Sequence, residues 1–125
     1  MRASVRAFMS SDVDIATYVS PDRRNDAVWL RMLVGPAGES GEESFDVLVC
    51  TPLWLADDAV ARDRPRIGRH LLIVEELDLR VACDFLCASV ESVVGDDWNA
   101  IGERIARIGY WEFEDYHPSR HRPGS

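Results

Sequence analysis

Ala27-Val28-Trp29-Leu30-Arg31-Met32-Leu33-Val34, then Gly35-Pro36-Ala37-Gly38-Glu39-Ser40-Gly41, then Ser44-Phe45-Asp46-Val47-Leu48-Val49-Cys50 is the stretch that decides the fold class. In the first run Val28, Leu30, Met32 and Val34 recur at every second position, the period of a strand with one buried face. In the last run Phe45, Val47 and Val49 alternate with Asp46, Leu48 and Cys50. Two such runs joined by a short glycine-containing connection read as a β-hairpin. Thr51-Pro52 follows at once, an N-cap side chain with proline at the first helical position. A helix through Leu53, Trp54, Leu55, Ala59 and Val60, stopping near Arg64-Pro65, is therefore expected.

Upstream, Ala3, Val5, Ala7 and Met9 alternate with Arg2, Ser4 and Arg6, which predicts a half-buried strand over 3–9. Residues 10–26 are polar and read as a long loop. Downstream, His70-Leu71-Leu72-Ile73-Val74 is apolar without alternation, which predicts a strand over 69–75 buried on both faces. Asp78 is placed to cap a helix over roughly 79–94, with Leu79, Cys83, Leu86, Val90 and Val93 at helical spacing and Gly95 as its stop. Asp96 or Asp97 caps a further helix, whose stripe is Trp98, Ile101, Ile105 and Ile108. This order predicts an α+β domain over residues 1–116, built as a small antiparallel sheet of about four to five strands with helices packed on one face. Residues 117–125 read as a flexible tail.

The 125 residues carry 14 basic and 22 acidic side chains, a formal charge of −8. A chain of this length can bury enough surface to fold without metal or disulfides. The negative charge argues against binding nucleic acid, which needs cations to neutralise phosphates. It likewise argues against anionic membranes and favours a basic partner. The N-terminus lacks the apolar run of a signal peptide, and no stretch is long and apolar enough to span a membrane. Cys50, Cys83 and Cys87 are odd in number and sit in apolar segments, as reduced, buried thiols do. A cytoplasmic location is the expectation.

Few residue patterns point to catalysis. The chain has no Gly-x-Ser-x-Gly elbow, and the Gly35–Gly41 connection lacks the Lys-Ser/Thr of a phosphate loop. Glu42-Glu43 with Asp46, and Glu75-Glu76 with Asp78, do not match a calcium loop, and no cysteine or histidine pair has zinc spacing. No catalytic residue, metal or cofactor is expected. His70 reads as a satisfied histidine at a strand start rather than a general base. Trp29, Trp54 and Trp98 read as core, whereas Trp111, among Glu112, Glu114 and Asp115, reads equally as core and as an interface anchor.

Charge is distributed unevenly. Residues 32–61 contain no basic side chain but hold Glu39, Glu42, Glu43, Asp46, Asp57 and Asp58, which is six of the eight net negative charges. Such a concentration suits a surface that steers toward a basic protein.

The block Glu42-Glu43-Ser44-Phe45-Asp46-Val47-Leu48-Val49-Cys50-Thr51-Pro52-Leu53-Trp54-Leu55 resembles the Immunity protein 8 family. So do Ser11-Asp12-Val13-Asp14, Gly35-Pro36-x-Gly38, Gly68-Arg69-His70-Leu71-Leu72-Ile73-Val74 and Gly109-x-Trp111-Glu112-Phe113-Glu114-Asp115-Tyr116, in that order. The resemblance implies a small protein that protects a bacterium by binding a cognate toxin of a polymorphic or contact-dependent system. It identifies neither a catalytic residue nor the toxin, which on charge grounds could be a nuclease with a basic cleft. The acids expected to face that partner are Glu39, Glu42, Glu43, Asp46, Asp57, Asp58, Glu112, Glu114 and Asp115, with Trp111 as anchor. Two alternatives stand beside it: a metal-dependent hydrolase using the acids with His70, and an oligomeric structural subunit.

Overall fold

The computed structural model describes residues 1–114. The elements in chain order are β1 (Ala3–Met9), β2 (Ala27–Pro36), β3 (Glu43–Cys50), α1 (Pro52–Arg62), β4 (Leu71–Ile73), α2 (Leu79–Glu91), α3 (Trp98–Ile105) and β5 (Tyr110–Trp111). The hairpin is present as expected: β2 and β3 pair antiparallel from Val34↔Glu43 to Ala27↔Cys50. One face of it, Val28, Leu30, Met32, Val34, Phe45, Val47 and Val49, is buried and forms the centre of the core.

The α+β class holds, with three departures in the sheet. First, β4 runs parallel to β3, through Leu48↔Leu71 and Cys50↔Ile73, so the sheet is mixed rather than antiparallel. The reason is connectivity: α1 carries the chain back between the two strands, which leaves them pointing the same way. Second, β4 ends the strand order β1-β2-β3-β4, and its Ile73 is 56 % exposed, so it is an edge strand and not one buried on both faces. Third, a bulge between Val5 and Ala7 breaks the alternation of β1. Ala3, Val5 and Phe8 meet the core, while Ala7 and Met9 turn outward, because an extra residue reverses the face of everything after it.

β3 is flanked on one edge by β2 and on the other by two short strands. β4 covers its C-terminal half, and β5 pairs with its N-terminal half through Phe45↔Trp111 and Asp46↔Tyr110. Against the core face pack α2, through Leu79, Ala82, Leu86 and Val90, and α3, through Ile101 and Ile105. Asp78 caps α2 by accepting from the amides of Arg80 and Val81, and Asp97 caps α3 by accepting from Ala100. α2 ends at Glu91, earlier than expected, because the chain must release Val94 to bridge Arg2 of the opening strand. Gly95 is thus beyond the helix, where its amide donates to the Met1 carbonyl.

Thr51 caps α1 as expected, accepting from the Trp54 amide at 3.3 Å. Yet α1 buries none of its residues. Trp54 is half-buried, with the Arg66 guanidinium 5.8 Å from its ring, so it is not a core residue. Trp29 is also off the core, on the outer face of β2. All three cysteines are free thiols. Burial pushes Cys83 up to about 11, assisted by the Asp84 and Cys87 charges, which is the opposite of an activated nucleophile.

Candidate functional site

The end of the sheet where the β2–β3 turn, β5 and α3 meet brings together most of the acids singled out above. Arg6, at the β1 bulge, fastens the turn by donating to the carbonyls of Pro36 at 2.7 Å and Glu39 at 2.5 Å. Glu43 begins β3 and its two carboxylate oxygens are divided between two indoles: Trp98 Nε1 donates to Oε1 at 2.9 Å and Trp111 Nε1 to Oε2 at 2.7 Å. One carboxylate thereby joins the first residue of β3 to the first of α3 and to β5. Ser44 and Glu112 complete the seam, the Ser44 amide donating to Glu112 Oε1 at 2.7 Å.

Trp111 is resolved as core. It is 7 % exposed, stacks on Phe45 at 5.9 Å and meets Phe113 edge-on at 6.0 Å. Only an edge of its ring reaches the surface, where it borders a cleft. Glu114 accepts from Arg69 Nη2 at 2.8 Å and lies 3.5 Å from His70 Nε2. That nitrogen is already 2.7 Å from the Ala106 carbonyl, to which it must be the donor. With Nε2 committed to that carbonyl, His70 is a buried residue that ties the start of β4 to the end of α3.

Between these elements opens a cleft of about 610 Å³, in which Glu43, Glu103 and Glu114 alternate with Trp98, Phe113 and the edge of Trp111, and with Arg69 and Arg107. Among the described residues no group of three His, Cys, Asp or Glu side chains is arranged to hold a metal ion, and no helix is long and apolar enough to cross a membrane.

The remaining acids lie elsewhere. Asp46 points out from mid-β3 and takes Arg31 in a two-point ion pair, 2.8 and 3.0 Å, which also raises the Arg31 guanidinium above its ordinary value. Asp57 accepts from Asn25 Nδ2 at 2.7 Å, and Asp58 pairs with Arg62 at 2.8 Å and Arg66 at 3.2 Å. Both sit on α1, which starts where β3 ends. The eight residues of β3 place them roughly 25 Å from the Glu42–Glu43 end. The acidic run 32–61 is thus two separate clusters, of which the α1 cluster is largely neutralised by its arginines. Asp115 lies outside the described residues, as do His117, His121 and the tail.

Trp98, Glu103, Arg69 and Phe113 were not among the expected site residues. Trp98 was legible only as part of a helical stripe, and its bond to a residue 55 positions away leaves no local pattern. The bond can be tested directly. Glu43→Gln keeps the shape but presents an amide NH₂ to one indole N–H, leaving that donor unpaired. A loss of about 1–3 kcal/mol in denaturant unfolding, with a changed near-ultraviolet tryptophan signal, is expected.

No curated protein and no solved structure matches this chain. A family model does: that of Immunity protein 8, over residues 3–116, which takes in all eight elements and the whole acidic end. By this match over nearly its full length, the chain belongs to the Immunity protein 8 family.

Proposed function

We propose that this protein binds a cognate toxin domain and neutralises it, the acidic end of the sheet lying over a basic surface of the toxin. Family membership over residues 3–116 carries the reading, since it implies an immunity protein and suggests a role without catalysis. The charge supports the manner of binding: the chain is at −8, and Glu39, Glu42 and Glu112 sit at one end of the sheet. A toxin that cleaves nucleic acid offers a cationic cleft, and carboxylates can stand where phosphates would. Arginines offset Asp46 and Asp58, whereas the indoles on Glu43 are neutral and leave its charge in place. Glu39 and Glu42 are the acids of this end whose carboxylates have no partner among the described residues, so reversing them changes charge without breaking a side-chain bond.

The test takes a toxin domain encoded by a gene adjacent to this one and measures its association with the protein. Glu39→Arg with Glu42→Arg should slow association about tenfold at low salt and flatten its dependence on ionic strength, with dissociation little changed. Stopped-flow mixing at several salt concentrations measures it. Unchanged on-rates would remove these two acids from the binding surface.

A further inference from the structure

We infer that the toxin is gripped by the uncovered part of the sheet's outer face, beside the buried Leu48 and Cys50, through an exposed row in which Trp29 and Tyr110 are the anchors; this rests on the immunity reading given above. The strand register puts Met9 opposite Arg31, Arg31 opposite Asp46 and Asp46 opposite Tyr110. Four strands therefore contribute one residue each to a single line across the sheet, roughly 14 Å long. All four belong to the face turned away from α2 and α3. Trp29 stands two residues from Arg31 on that same face, and Met9, Trp29, Arg31 and Asp46 together border a recess of about 310 Å³.

A face left open for solubility would be polar. Instead Met9 is 50 % exposed, Trp29 42 % and Tyr110 55 %. Methionine, tryptophan, tyrosine and arginine are the residue types enriched at the centres of interfaces, and aromatic anchors carry much of their energy. The one charged pair in the row, Arg31 with Asp46, neutralises itself through two hydrogen bonds, so covering it leaves no unpaired charge. The backbone beneath one anchor is also pinned. Trp29 has its backbone held by the loop after β1, its amide donating to Asp12 Oδ2 at 3.0 Å and its carbonyl accepting from Ser10 Oγ at 2.7 Å. A backbone already held loses little freedom on binding.

Asp12 beside Trp29 and Glu112 beyond Tyr110 make the margins of this face acidic. A second copy of the chain would bring another charge of −8 and the same acidic margins against them, so self-association is opposed. A toxin domain with an apolar depression ringed by Lys and Arg fits both centre and margin. The face is continuous with the acidic end through Asp46 and Glu112, so steering and gripping belong to one docking surface.

The experiment measures binding of the neighbouring toxin domain to the intact protein and to Trp29→Ala, Tyr110→Ala and Met9→Arg, with Phe85→Ala as comparator. Phe85 is an exposed aromatic on α2, on the opposite side of the sheet. Each anchor variant should lose about 30-fold or more in affinity, mainly through faster dissociation, while Phe85→Ala stays within twofold. Because Tyr110 also packs edge-on against His70 at 5.3 Å, circular dichroism and melting must show each variant folded, and Trp29→Ala and Met9→Arg decide the matter if Tyr110→Ala does not fold. If the wild type binds and these variants bind equally well, the row is not the grip and the immunity reading survives. If the wild type does not bind, that reading fails and the inference with it. A wild-type dimer that Trp29→Ala dissociates would overturn the inference by making the second copy the occupant.

Discussion

Trp111→Ala is expected to lower the stability of the protein by about 3–5 kcal/mol, the range for emptying a buried large aromatic site. The side chain is enclosed by Phe45 beneath it, Phe113 against its edge and α3 beside it; a Cβ on Gly102 would come within 2.6 Å of its ring. The substitution deletes three things together: the packed ring, the hydrogen bond to Glu43, and the contact that keeps β5 on the edge of β3. The two short strands on that edge leave little else to hold the C-terminal end of the fold. For a domain of this size the loss corresponds to roughly 12–20 °C in melting temperature. Trp111→Phe retains the stacking but not the N–H, so it should fall between, and the difference between the two variants isolates the ring from the bond. Urea unfolding followed by far-ultraviolet circular dichroism measures both, and a Trp111→Ala loss below about 1 kcal/mol would contradict the enclosed position assigned to this side chain.

That result bears on what a run of characteristic residues means in this family. Trp111, Glu43, Phe45, Thr51 and His70 all belong to the stretches by which the sequence resembles the family, and each is occupied inside the molecule. Glu43 clamps two indoles, Thr51 caps a helix and His70 ties the start of β4 to the end of α3. Such residues build the platform. Of the exposed groups that the proposed docking uses, Glu39 and Trp29 lie outside those stretches and Tyr110 at an unspecified position of one, whereas Glu42 opens another.

What could be read along the chain follows the range of the interactions involved. The β2–β3 hairpin, the Thr51, Asp78 and Asp97 caps and the faces of α2 and α3 are local or strictly periodic, and they were legible. The bulge in β1 was not, because one additional residue leaves composition unchanged while reversing the face of Met9. The parallel partner of β4 was missed because an apolar run does not state whether it lies at the centre or the edge of a sheet. The acidic run 32–61 looked like one patch because sequence records neighbours along the chain. An extended strand carries its two ends far apart, and pairing Asp58 with Arg62 and Arg66 cancels charge that a count still includes. Trp29 reads as core for the converse reason: alternation with Val28 and Leu30 says which face a residue takes but not whether that face is covered, and Trp29 is exposed.

Gly35→Ala should be the other severely damaging change, and it connects the platform to the binding end. Gly35 lies in β2 opposite Ser4, and a Cβ there would sit 2.0 Å from the carbonyl oxygen of Gly41 and 2.8 Å from Nη2 of Arg6. A backbone oxygen at that distance cannot yield as a flexible side chain would, so the β2–β3 turn must lift away. Lifting it breaks the two hydrogen bonds by which Arg6 holds Pro36 and Glu39, and releases the segment that carries Glu39 and Glu42. A loss of about 3 kcal/mol is expected, the upper part of the range for forced overpacking, together with new proteolytic cleavage within 37–42. Gly38→Ala provides the contrast in the same turn. Its φ of +79° is unfavourable for alanine, yet nothing lies within 4 Å of the added carbon, so the cost should be about 1 kcal/mol with the turn still protected. Since steering depends on acids held in place, Gly35→Ala should also slow toxin association under conditions where it remains folded, whereas Gly38→Ala should not. Equal stabilities and equal association rates for the two variants would show that the turn does not rest on Gly35 and that its acids need no fixed position.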